Sequence, residues 1–89
     1  MKELILNCEE LNSRYQLHEK IAEGLSFPEW YGRNLDALND CLTDISEETF
    51  IRVECFSALE EKLGRYASLL KKVLVSVAEE NKNIHIEIQ

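Results

Sequence analysis

The sequence predicts an α/β fold in two layers, a three-stranded parallel sheet with four helices mainly on one of its faces. Two observations carry this. The elements read in the order strand, two helices, strand, two helices, strand, and connections that long and helical imply parallel pairing with right-handed crossovers. The second and third strands alternate apolar with polar residues, whereas strands covered on both faces read as continuous apolar runs. If both crossovers move the same way across the sheet, the strand order is 1-2-3 with the helices on one side. The 89 residues leave room for a single domain, residues 1–89, without repeats, linkers or low-complexity segments.

Glu3 to Asn7 reads as the first strand, around Leu4, Ile5 and Leu6. Ser13 offers a cap for a helix whose apolar positions are Leu17, Ile21 and Leu25, and Gly24 is expected to help end it. A loop with Pro28, Gly32 and three aromatics leads to a second helix that Asn34 can cap. Ile51, Val53 and Cys55 alternate with Arg52 and Glu54 in a strand from Thr49 to Cys55. Ser57 is expected to cap a short helix carrying Leu59 and Leu63, ended by Gly64. Tyr66, Leu69, Leu70, Val73, Leu74 and Val77 follow at steps of three and four, the strongest amphipathic signal in the chain. Asn81-Lys82-Asn83 breaks that helix, and Ile84, Ile86 and Ile88 alternate with polar residues in the last strand.

The chain is organised around Phe27 to Asp44. On its helix Leu35, Leu38, Cys41, Leu42 and Ile45 form an apolar stripe, while Asp36, Asn39, Asp40, Thr43 and Asp44 share the opposite face. Asp36, Asp40 and Asp44 stack like charges at i, i+4 and i+8, each neighbouring pair opposing the helix by roughly 0.2–0.5 kcal/mol. Asp40 and Asp44 also lie toward the end where the helix dipole is negative. No Lys or Arg occurs between Arg33 and Arg52. An arrangement that lowers local stability points to a positively charged partner, and the plainer alternative is a solvated acidic face.

Composition narrows the function classes. Seventeen acidic residues against ten Lys and Arg give a net charge of −7, which repels nucleic-acid phosphates and anionic membranes and steers basic partners inward. No apolar run approaches a membrane span and no signal peptide is legible, so a cytoplasmic location is expected. Cys8, Cys41 and Cys55 form an odd set without a Cys-x-x-Cys pair, which fits reduced thiols. Cys41 and Cys55 fall on apolar stripes and are expected to be small core residues, while Cys8 stays unassigned. His18 and His85 are expected to be partly buried or surface residues and not metal ligands, since neither has a second His at helical ligand spacing.

As an enzyme, the chain would have to use Asp36 and Asp40 as a carboxylate pair. They lie on an outward face, and no Gly-rich phosphate loop, Ser/His/Asp set or metal-ligand spacing accompanies them, so neither catalysis, cofactor nor metal is expected. A binding role gathers more features. Trp30 and Tyr31 sit beside the acidic face, as interface hot spots do; Trp30 is expected to be exposed, while Tyr31 fits packing on the core as well as contact, with Gly32 needed for the turn.

The run Pro28-Glu29-Trp30-Tyr31-Gly32-Arg33-Asn34-Leu35-Asp36-Ala37-Leu38-Asn39-Asp40-Cys41-Leu42 resembles the signature of the barstar family, inhibitors of secreted microbial ribonucleases. Length and element order agree over essentially the whole chain. The resemblance implies that loop and acidic helix plug the active site of a basic, secreted ribonuclease, Asp40 replacing substrate phosphate with Asp36 as a second charge partner. It also implies that Trp30, Gly32, Asn34, Asn39 and Thr43 line the contact surface; a monomer is expected when free, although the sequence does not give the oligomeric state. The sequence departs from the best-known pattern at Arg33, Asn39, Ile45 and Ser76, each change weakening or redirecting contact with a ribonuclease of the best-known type. The alternative is an interaction or immunity module with the same fold that binds a different basic protein without inhibiting it.

Overall fold

The computed structural model describes residues 1–89. Strand β1 (Lys2–Asn7) runs into a 3-10 turn (Cys8–Glu10) and helices α1 (Arg14–Leu25) and α2 (Leu35–Thr43). Strand β2 (Thr49–Glu54), helices α3 (Phe56–Leu63) and α4 (Arg65–Glu80) and strand β3 (Ile84–Ile88) complete the chain. The strands are parallel in the order β1-β2-β3, as the helical connections predict.

Register places Leu4 opposite Ile51 and Ile51 opposite Ile86. With a side-chain period of two, Leu4, Leu6, Thr49, Ile51, Val53 and Ile84 are buried beneath the helices, while Glu3, Ile5, Phe50, Arg52 and Glu87 are exposed on the other face. That second face is bare, so the fold has two layers. On it Phe50 stacks on His85 with centroids 4.5 Å apart, and Arg52 lies 3.8 Å from both Glu54 and Glu87. The helices close the core with Leu17, Ile21 and Leu25 of α1, Leu38 and Leu42 of α2, Leu59 of α3 and Leu70, Leu74 and Val77 of α4. Each such side chain contributes about 1.5–3 kcal/mol on burial.

Four local expectations are corrected. Gly24 does not end α1, which continues to Leu25 and stops at Ser26, in the left-handed region at φ 58°, with the Phe27 N–H bonded back to Ala22 O at 2.9 Å. The glycine instead permits close packing, since a Cβ there would lie 2.4 Å from Leu4 Cδ1. Cys55 is exposed and not in the core: β2 ends at Glu54, and a φ of 58° at Cys55 takes it off the strand's alternation. Cys55 therefore occupies the cap position of α3, and Ser57 lies inside the helix. His18 is completely buried, on the same side of α1 as Leu17, Ile21 and Leu25.

Candidate protein-binding surface

The loop between α1 and α2 sorts its aromatics by burial. Phe27 and Tyr31 turn inward with ring centroids 5.0 Å apart, and Tyr31 is buried. Trp30 turns outward and is 82% exposed, the most exposed large hydrophobic side chain in the protein. A turn bonded from Tyr31 N to Pro28 O at 3.0 Å separates the two orientations. Gly32 serves the turn differently from the expectation: the left-handed residue is Arg33, at φ 50°. A Cβ on Gly32 would stand 3.1 Å from Asn34 Nδ2 and 3.4 Å from the Ala37 Cβ, so the missing side chain makes room for the helix cap.

Asn34 fills that cap. Its Oδ1 accepts from Ala37 N at 2.8 Å and its Nδ2 donates to Gly32 O at 3.2 Å, so one side chain starts α2 and fixes the preceding loop. Tyr31 is held from within by His18. His18 Nδ1 lies 2.6 Å from the Tyr31 hydroxyl and Nε2 lies 2.7 Å from the Tyr66 hydroxyl, tying the loop to α1 and α4 at once. Burial, with the Arg33 charge adding to it, lowers the His18 pKa from 6.5 and favours the neutral ring. In that state one tyrosine donates to the ring and the other accepts from it. Burial also raises both tyrosine hydroxyls above their usual range.

Along α2, Asp36, Asp40, Thr43 and Asp44 are exposed and Asn39 is half-buried, while Leu38 and Leu42 point into the core. The Thr43 hydroxyl donates to Asn39 O at 2.7 Å. The ion pairs of the chain lie elsewhere, joining the Met1 amino group to Glu47, Arg33 to Glu19, and Arg52 to Glu54 and Glu87, while the His85 ring meets Glu48. None engages Asp36, Asp40 or Asp44. Trp30, Gly32, Asn34, Asp36, Asn39, Asp40 and Thr43 thus fall on one loop and the helix it enters.

Trp30, Asp36 and Asp40 of this surface line none of the larger concavities, which lie on the bare sheet face beside Phe50 and His85, between α3 and α4, beside Tyr15 and Glu19 of α1, and past the end of α2 beside Asp44 and Ser46. Such a surface suits insertion into another molecule's cleft better than enclosure of a small substrate. No three His, Cys, Asp or Glu side chains are grouped as metal ligands would be. The Cys41 thiol on α2 is pushed up by burial and by Asp44 and Asp40, which leaves it a poor nucleophile. No helix is long and apolar enough to cross a membrane.

Sequence reasoning missed three residues that build the surface. His18 had a signal, since it falls three residues before Ile21 and seven before Leu25 on the buried side of α1. Asn81, read only as a helix breaker, reaches the far end of α2, and Tyr66 reaches His18 from 48 residues away. Contacts of that separation leave no local pattern.

Two comparisons bear on the chain as a whole. The family model described as "Barstar (barnase inhibitor)" matches residues 1–89. A protein of Bacillus subtilis (strain 168) bearing the name "Putative ribonuclease inhibitor YrdF" is 33% identical over 84 residues, covering 93% of this chain and 92% of that one.

Proposed function

The chain belongs to the barstar family of barnase inhibitors, and from that premise we propose that it inhibits a basic, secreted ribonuclease by seating the Trp30 loop and the acidic face of α2 in the enzyme's active site. Asp40 takes the place of a substrate phosphate against the enzyme's cationic groups, and Asp36 supplies a second negative charge nearby. Trp30, Gly32, Asn34, Asn39 and Thr43 form the remaining contact surface, and the protein acts as a cytoplasmic monomer until it meets its target. A carboxylate facing Arg forms charge-assisted, bidentate bonds, and opposite net charges speed the encounter.

The observation that carries this reading is the set of exposed aspartates without an intramolecular cation, on a helix fixed at both ends and next to a nearly fully exposed tryptophan. Stiff, short acids lose little side-chain entropy when they are bound. The test is titration of purified protein into basic bacterial ribonucleases, with stoichiometric loss of RNA cleavage expected. Inhibition that survives Asp40→Ala unchanged would defeat the mechanism.

A second reading, an interaction module for another basic protein, is favoured by Asn39 and Ser76, which offer neutral side chains where the best-known pattern has an aromatic or an acid. Capture of a basic protein without ribonuclease activity, in a way that depends on Asp36 and Asp40, distinguishes it from the first.

A further inference from the structure

The guanidinium of Arg33, though still partly exposed, meets three neighbours within its own molecule. Nε and Nη2 both meet Glu19 Oε1 at 2.5 Å, Nη1 donates to Tyr31 O at 3.3 Å, and Cζ stands 5.6 Å from the centre of the Tyr15 ring. Glu19 and Tyr15 belong to α1, so these contacts bridge that helix to the loop. Arg33 immediately precedes the cap Asn34, and its φ of 50° is one that residues with a Cβ rarely adopt. Since the local backbone opposes this conformation, the surrounding contacts must hold it.

Between the end of α1 and Asn34 the loop has few internal restraints. Phe27 and Tyr31 pin its inner side, while Pro28, Glu29, Trp30 and Gly32 are exposed. Arg33 supplies the outer fastening, one residue beyond Gly32. Its charge is also matched in place by Glu19, so it takes little from the negative field of α2.

Building on the proposed inhibitory role, we infer that Arg33 is a positioning residue of the binding surface: its clamp on Glu19, Tyr15 and the Tyr31 carbonyl holds Trp30 and the first turn of α2 in the arrangement the partner meets. Ordering a loose aromatic side chain and its loop at the moment of binding costs about three- to tenfold in affinity, and the clamp removes that cost beforehand.

Trp30 is the single tryptophan of the chain, so its fluorescence reports the loop alone. In the free full-length protein, Arg33→Ala and Glu19→Ala are each expected to raise the amplitude of nanosecond Trp30 depolarisation about twofold, with the melting temperature little changed. Glu19→Ala leaves the left-handed backbone position untouched and serves if Arg33→Ala folds poorly. Arg33→Lys keeps the charge but not the planar fork, and is expected not to restore the loop. Unchanged depolarisation in both alanine variants, or full restoration by lysine, overturns the inference. Against a ribonuclease that the wild-type protein inhibits, Arg33→Ala is expected to dissociate about three- to tenfold faster, while association at low salt holds or rises because Glu19 is left unmatched. Unchanged dissociation with slower association overturns it as well. The fluorescence needs no partner, so a wild-type chain that inhibits no ribonuclease would defeat the proposed function and leave the clamp measurable.

Discussion

The side-chain amide of Asn81 donates to the carbonyl of Leu42 across 3.0 Å, joining the residue that ends α4 to the last turn of α2. The same nitrogen lies 3.3 Å from Thr43 O and 2.9 Å from Ile45 O. A helix C-terminus leaves carbonyls without partners and carries negative partial charge, and here Asp40 and Asp44 add to it. A donor supplied from another helix compensates where the local sequence offers no cation.

Asn81→Ala is therefore expected to destabilise the protein by about 1–3 kcal/mol, read from urea unfolding, because Thr43 O and Ile45 O lose their donor at once while Leu42 O keeps the long bond from Ile45 N. Asn81→Asp is expected to be worse, since it turns a carboxylate toward the same carbonyls. An unchanged unfolding midpoint in both variants would show that water replaces the amide without cost.

Asp40→Ala is expected to move stability and binding in opposite directions. Removing Asp40 relieves like-charge pairs with Asp36 and Asp44, relaxes the dipole conflict and introduces a better helix former, a gain of about 0.5–1.5 kcal/mol in the free protein. The same change is expected to weaken binding to the inhibited ribonuclease by about 2–5 kcal/mol, because a cationic pocket is left unfilled. Denaturation and inhibition assays on the one variant check both signs.

His18 makes stability depend on pH. Its folded pKa is lowered from 6.5, chiefly by burial, so the unfolded chain takes up the proton more readily. The contribution of the neutral ring is complete above the unfolded value and is lost as pH falls through the lowered folded one. Urea unfolding between about pH 8 and pH 5 is expected to show His18→Gln less sensitive to acid than the wild type over that interval. Parallel curves for the two proteins would remove His18 from the account.

Gly24 and Gly64 are expected to resist alanine for different reasons. At Gly24 the new methyl would collide with Leu4 in the core, and about 1–3 kcal/mol of overpacking outweighs the gain in helix propensity. At Gly64 there is open space, but φ is 57° and ψ −129°, so alanine adds backbone strain of about 1–3 kcal/mol. Leu4→Ala is expected to relieve the penalty at Gly24 in a double-mutant cycle and leave that at Gly64 unchanged.

The acidic helix was legible because its causes are local. Asn34 caps α2 as its residue type predicts, the three- and four-residue spacing buries Leu38 and Leu42, and the aspartates emerge opposite them. Cys55 misled for a related reason: its alternation with Ile51 and Val53 was real, but the chain leaves the strand one residue earlier through a left-handed turn. Arg33 was legible only as a cation in an unexpected place, since its match, Glu19, lies 14 residues away on another element.

By itself the sequence determined the succession of elements, their parallel pairing and the face of α2 on which negative charge collects. Hydrophobic period, caps and crossover handedness act within one element or between consecutive ones, and they leave their mark in residue order. Only the tertiary structure decided that Tyr31 turns in against His18 while Trp30 turns out, that Arg33 is matched by Glu19, and that Asn81 closes α2. Each of these depends on which distant groups share a dry or crowded volume, a condition that exists only once the chain has packed.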